Sequence, residues 1–277
     1  MKLILFKLSI FLFALLFSEK SNAQEFQGQA FYFSKSKMDL GTWGARLSEA
    51  QKKQIESQMK NRLEKTYILD FNKEESLFNE EDKLDAISGA TDSWGNNFSS
   101  GEQYKNVKEN TLIQSQEFYG KKFLVKDKLQ AIEWKMGTES KQIGKYMCFK
   151  ATSSVPTSDL SWFSFSWSDI RANTSEKTAD STKVGSKNEE IKMTEIEAWY
   201  TPQIPVGHGP AEYWGLPGLI LEVSAGDTTM LCSKIVMNPQ EKIKIEAPDK
   251  GKEITKSAYK ATISKKMLEM RNNRGRR

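Results

Sequence analysis

A single histidine, His208, serves a chain of 277 residues. That count excludes His-rich zinc sites, the paired histidines of metalloproteases and facial-triad iron sites. A Ser-His-Asp triad would have to use His208, which stands in Gly207-His208-Gly209-Pro210 with no Gly-x-Ser-x-Gly elbow in the chain. An exposed loop histidine is the expectation. The Gly-x-Gly-x-x-Gly, Walker, EF-hand and haem-attachment motifs are missing too, so nothing calls for a cofactor or a metal. Cysteine is scarce: Cys148 and Cys232 are the only two, with no Cys-x-x-Cys spacing. Carboxylate pairs do occur (Glu74-Glu75, Glu80-Glu81, Glu189-Glu190), but in polar segments without apolar neighbours to raise a pKa. They read as solvated faces. Glu222 differs because it interrupts an apolar strand, and alternation still places it on the polar side. No catalytic motif emerges, and a non-enzymatic role is expected.

Long apolar runs are also lacking. Residues 1–23 combine a basic start (Lys2, Lys7), about ten apolar residues and a small-residue end at Ser21 and Ala23. A membrane span needs about 20. The expectation is a signal peptide cleaved after Ala23 and export to the periplasm or to association with the outer membrane. Position 24 is Gln, so no lipoprotein anchor follows. The formal charge of +5 loses +2 with residues 1–23, and Arg271, Arg274, Arg276 and Arg277 carry +4 of the remainder. The body is near neutral, which argues against a nucleic-acid partner.

Residues 24–270 read as one β-rich domain, followed by a basic tail, 271–277. A first strand falls at 27–34. Ser48 with Gln51 then forms a capping box ahead of a helix at 48–64, striped by Ile55, Met59 and Leu63. Strands are expected at 67–71, 75–79, 111–118, 122–125, 131–135, 145–152, 194–200, 219–223, 228–235 and 242–245, with 88–101 as loop. Residues 171–192 are polar and read as a mobile insertion. Tyr259, Ile263, Met267 and Met270 mark a closing helix from about 255. Strands in succession without crossover helices predict an α+β fold: a mostly antiparallel, strongly curved, half-barrel-like sheet, with an early helix and a C-terminal helix covering one face.

Against this background, residues 198–223 stand apart. Pro202, Pro205, Pro210 and Pro217, four of the seven prolines, fall in the seventeen residues 202–218 together with Gly207, Gly209, Gly215 and Gly218. That composition makes a rigid loop. Pro217-Gly218 is expected to be the centre of a type II turn, with Gly218 at positive φ. Gly215, Leu216, Pro217, Gly218, Leu219 and Ile220 form the signature of the GLPGLI family, which the chain resembles. The resemblance extends through Ala198-Trp199-Tyr200-Thr201, Gly209-Pro210, Trp134, Lys141, Ile143, Cys148, Lys150-Ala151-Thr152 and 231–235, about half of the mature chain. It implies an exported protein of Bacteroidetes-type bacteria with no established activity.

For an exported chain with two cysteines, one disulfide between Cys148 and Cys232 is expected. Aromatics cluster at 162–167 and 199–214. Phe163, Phe165 and Trp167 share one strand face, whereas Trp162 points with the serines. Trp162, Tyr200, His208, Tyr213 and Trp214 are therefore the candidate binding residues. Two functions follow: an envelope protein that holds an apolar ligand or a client polypeptide, or an accessory subunit of an outer-membrane machine such as a TonB-dependent transporter, with 200–214 as its docking loop.

Overall fold

The computed structural model describes residues 26–37, 44–81, 98–160 and 192–274. Residues 1–23, Trp162, Phe163, Phe165, Trp167, nearly all of the 171–192 insertion and the last three residues of the tail lie outside the described residues.

Alternation of apolar and polar residues produces a long meander. Its first half comprises β1 (Gln27–Ser36), β2 (Glu64–Asn72), β3 (Glu75–Glu80), β4 (Phe98–Asn106), β5 (Thr111–Phe118) and β6 (Lys121–Lys128). The second half comprises β7 (Lys135–Ile143), β8 (Tyr146–Pro156), β9 (Met193–Thr201), β10 (Leu219–Ala225) and β11 (Thr228–Met237). The halves join where β1 pairs with β11, and a three-residue β12 (Lys252–Ile254) lies parallel to β6. The strand order is β12-β6-β5-β4-β3-β2-β1-β11-β10-β9-β8-β7.

This overturns the expected half-barrel α+β fold. The protein is one open, mixed sheet of twelve strands, and no ladder joins its edge strands β7 and β12. Among the described residues, helices do not form a covering layer. α1 (Glu49–Leu63) has the expected capping box, Ser48 Oγ accepting from the Gln51 amide at 3.3 Å and Gln51 Oε1 accepting from the Ser48 amide at 2.9 Å. Its stripe of Ile55, Met59 and Leu63 is only half-buried. α2 (Thr157–Leu160) is a single turn, and only α3 (Lys256–Arg274) packs a full apolar stripe. Two strand expectations fail. Residues 131–134 are irregular, and 135–143 form β7 instead, an edge strand with no buried residue and hence no alternation to read. Residues 242–245 are also irregular, and the strand near them is β12.

Residues 129–134 connect β6 to β7 across the array. Ten strand spacings would separate these two strands by about 48 Å in a flat sheet. Six residues reach about 24 Å. The open sheet is therefore bent, and loop 202–218 lies against its interior. Ile204 and Val206 join Tyr32, Leu69, Phe71 and Phe78 in one buried cluster, and Tyr213 and Leu216 join Ala151, Val155, Tyr200 and Ile220 in a second. A third cluster seats Tyr259, Ile263 and Met267 of α3 on Phe118, Phe123 and Val125.

Candidate functional site

The cross-strand row Phe71, Ser76, Lys105 and Leu112 faces loop 202–218 from β2 to β5. Lys105 is fully buried, and its ammonium donates to the carbonyls of Gly209 and Ala211 at 2.7 Å each and of Tyr213 at 3.3 Å. An ammonium has three donors, and here three loop carbonyls take them. Burial pushes the Lys105 pKa down to about 7, and the nearby Glu212 carboxylate partly opposes this. Glu212 accepts from Gln103 Nε2 at 2.8 Å and pairs with Lys256 of α3 at 3.4 Å, linking loop, strand and helix.

Three further anchors follow, two on the loop and one, from Tyr32, on the start of β10 just beyond it. The Tyr32 hydroxyl donates to the Ile220 carbonyl at 2.6 Å. His208 Nε2 lies 3.1 Å from the Asn72 carbonyl, to which it donates, and the ring sits beside Phe71. The expected exposed histidine is thus fully buried. Burial and the Lys105 charge lower its pKa to about 3, so it is a neutral imidazole, and its Nδ1 has no hydrogen-bond partner among the described residues. Trp134 Nε1 donates to the Trp214 carbonyl at 2.8 Å, and Trp214 Nε1 donates to the Gln130 carbonyl at 2.7 Å.

The signature turn does not use Gly218 as expected. Gly218 is not at positive φ; among the signature residues it is Gly215 that adopts this conformation, at 92°. Gly218 is required because a Cβ would stand 2.2 Å from the Thr201 carbonyl oxygen, where β9 hands over to the loop. Leu216, Leu219 and Ile220 are buried, and Gly215 and Pro217 are exposed.

Of the candidate binding residues, Tyr200, His208 and Tyr213 are buried and Trp214 is half-buried. Tyr213 and Tyr200 stand in the cluster behind a shallow, open cleft, enclosing about 10 Å³, lined by Gln130, Ile132, Val155, Asp159, Leu160 and Glu212. Ile132, Val155 and Leu160 give it an apolar floor, Gln130 Nε2 donates to Asp159 at 2.6 Å on the rim, and Trp214 is tied to the same Gln130. The cleft joins the residue 129–134 connection, the end of β8, α2 and the loop. Its residues carried no sequence signal, because they come from irregular segments and strand ends.

The expected Cys148–Cys232 bridge is not formed. Both thiols are free and buried, one in β8 and one in β11, and both lie in the same apolar cluster although β9 and β10 stand between their strands in the sheet. Burial raises Cys148 to about 11 and Cys232 to about 12, so neither is a reactive thiolate. Glu222 is engaged by Lys141 at 2.7 Å, and that lysine also lies 4.2 Å from the Trp199 ring centroid. Among the described residues no group of three or more His, Cys, Asp or Glu could hold a metal ion, and no helix is long and apolar enough to cross a membrane.

The family model described as "Protein of unknown function (Porph_ging)" matches residues 134–222, from the start of β7 into β10. That span contains the loop and most of the cleft. No curated protein matches the chain. Solved structures of PNGF-II in space groups C2 and P21 each align with a TM-score of 0.47 and 16% identity over 86% of this chain. The alignments cover 32% and 33% of PNGF-II, so the chain spans about a third of that protein's length.

Proposed function

We propose that the protein is an exported, non-enzymatic binding protein of the cell envelope, of the GLPGLI type, that captures an apolar side chain of a client polypeptide in the cleft between α2 and the loop. The observation that carries this reading is the cleft itself: Ile132, Val155 and Leu160 beneath a polar rim of Gln130, Asp159 and Glu212. An apolar floor with a few polar groups at its edge suits an anchored side chain. Its enclosed volume of about 10 Å³ holds about one water and no whole small-molecule ligand, for which about 300 to 1,000 Å³ is usual. A peptide side chain laid across the apolar floor suits so shallow a depression better than an enclosed lipid chain.

The loop supports the cleft without being the docking surface. Of residues 202–218 only Pro202, Gln203, Pro205, Gly215 and Pro217 are exposed, and the loop carbonyls at 209, 211 and 213 are already taken by Lys105. This burial favours the client reading over a transporter accessory that docks through 200–214.

Fluorescence anisotropy with a labelled, unfolded leucine-rich peptide and its leucine-to-serine counterpart tests the proposal. The first peptide binds and the second does not, and Leu160→Asp, on the half-buried single turn α2, abolishes binding while leaving the melting curve in place. Equal binding of both peptides, or full binding by the variant, overturns it.

A further inference from the structure

The end of the molecule farthest along the sheet from β7 gathers the positive charge. Residues 121–128 and 249–271 carry eleven Lys and Arg against four Asp and Glu, a formal +7, whereas the whole chain carries +5. The topology explains how two distant segments of sequence form one face. Lys121 and Lys122 begin β6 at the tip of the β5–β6 hairpin, and the parallel strand β12 brings Lys250 and Lys252 beside them. Gly251 lies so close to this backbone that a Cβ would stand 2.8 Å from the Phe123 carbonyl carbon and 3.1 Å from that of Lys122. α3 then starts at the far end of β6, where the Lys256 amide donates to Asp127 at 3.1 Å, and runs back along the strand. Tyr259 meets Phe123 at a ring distance of 5.4 Å, and the buried stripe continues through Ile263 to Met267 in the cluster that includes Phe118 beside the tip.

Glu117 stands opposite Lys122 in the β5–β6 ladder, and three of the four acids counted above are engaged. Glu253 pairs with Lys126, Glu269 pairs with Lys266 at 2.8 Å, and Asp127 accepts from the backbone amides of Lys128 and Lys256. Lys121, Lys122, Lys250, Lys252, Lys260 and Arg271 are exposed and have no ion-pair partner among the described residues. At the apex of the hairpin sits Tyr119, 51% exposed and held at φ 48° beside Gly120 at φ 74°. A tyrosine in the left-handed region is uncommon. Here it leaves the ring half in solvent, leaning edge-on against Phe118 at 4.7 Å.

We propose that this end of the protein is a docking face for an anionic lipid surface, with Tyr119 seated at headgroup depth and the surrounding lysines against lipid phosphates. Amphipathic aromatic rings favour the membrane interface, and each basic residue near an anionic bilayer adds to the attraction. One exposed ring is not the series of stacking platforms that single-stranded nucleic acid uses. The inference stands apart from the cleft: the face lies on β6, β12 and α3, and its test uses no peptide.

Sedimentation with vesicles tests it, using phosphatidylethanolamine vesicles containing phosphatidylglycerol and, in parallel, pure phosphatidylcholine vesicles. The purified protein binds the anionic vesicles, releases them as salt rises past the screening range, and leaves the neutral ones unbound. Lys121→Gln with Lys122→Gln lowers the partition coefficient about 25-fold, at about fivefold per charge. Tyr119→Ala lowers binding without changing its salt dependence, and Lys53→Gln, an exposed lysine on α1, changes nothing. Thermal melts confirm that each variant folds. Equal binding to both vesicle types, undiminished binding by the double variant, or tighter binding to an oligonucleotide of matched charge overturns the proposal.

Discussion

Loop 202–218 and helix α3 are both fastened to the interior of the same sheet, by opposite means. α3 uses the apolar repeat Tyr259, Ile263, Met267, seated on Phe118, Phe123 and Val125. The loop has apolar contacts too, but its backbone is fixed by polar groups reaching across the fold: Lys105 from β4 and Trp134 from the connection before β7, while Tyr32 from β1 holds the start of β10 just beyond it. A helix satisfies its own backbone and needs only an apolar face. A loop rich in proline and glycine cannot, so its buried carbonyls need donors from elsewhere. If that difference is real, removing one polar anchor harms the loop more than removing one apolar anchor harms the helix.

The largest effect is expected from Lys105→Met. The substitution keeps the apolar stem but leaves the carbonyls of Gly209, Ala211 and Tyr213 without their donor inside the protein. Breaking such a buried charged network costs about 3 to 5 kcal/mol. Urea unfolding measures it, and a loss under about 1 kcal/mol would mean that packing alone holds the loop.

Ile263→Ala comes next, at about 2 to 4 kcal/mol for a fully buried side chain. Its damage is local. Amide exchange accelerates through α3 and β12, whereas β9 and β10 keep their protection. Exchange rising equally in the loop would show that the two regions are one cooperative unit.

The sequence carried the helix plainly and the loop only in part. Tyr259, Ile263 and Met267 recur every four residues, and Ser48 and Gln51 announce the start of α1, because these are local rules. The strand segments were legible where one face is buried, as in β5, and illegible in β7, where no residue is buried. The single-sheet architecture was not legible, because the pairing of β1 with β11 joins residues about 200 positions apart. The site suffered most. Ser76, Gln103, Lys105, Gln114 and Gln116 are polar, yet all are buried. No periodicity separates a polar residue facing water from one facing a loop carbonyl. His208 misled for the same reason.

Gly218→Ala sharpens the role of the signature. A Cβ there would collide with the backbone of Thr201, which is hydrogen-bonded into the sheet and cannot yield as a side chain can. About 3 kcal/mol is expected, the upper end for an overpacked site. Gly215→Ala meets only Trp134 Nε1, at 3.8 Å, and bears the strain of φ 92° alone, about 1 to 2 kcal/mol. Thermal melts rank the two, and the reverse order would mean that the Thr201 backbone yields to the added Cβ.

The last comparison isolates one anchor by pH. His208 titrates at about 3 in the fold, because burial and the Lys105 charge disfavour its cation, against about 6.5 when unfolded. Between those values the unfolded chain binds a proton that the folded one refuses, so stability rises with pH across the window and is lost as pH falls from 6.5 toward 3. The slope from this group is about 1.4 kcal/mol per pH unit. His208→Gln keeps a donor able to reach the Asn72 carbonyl but cannot titrate. Other acids contribute equally to both proteins, so the comparison rests on slopes and not on heights. Urea midpoints measured from pH 4 to pH 6 should fall more steeply with acid for the parent than for the variant, and the two curves should run parallel above about 6.5. Parallel curves throughout would mean that His208 takes up its proton within the folded protein, and that the loop opens to water far more readily than its buried anchors imply.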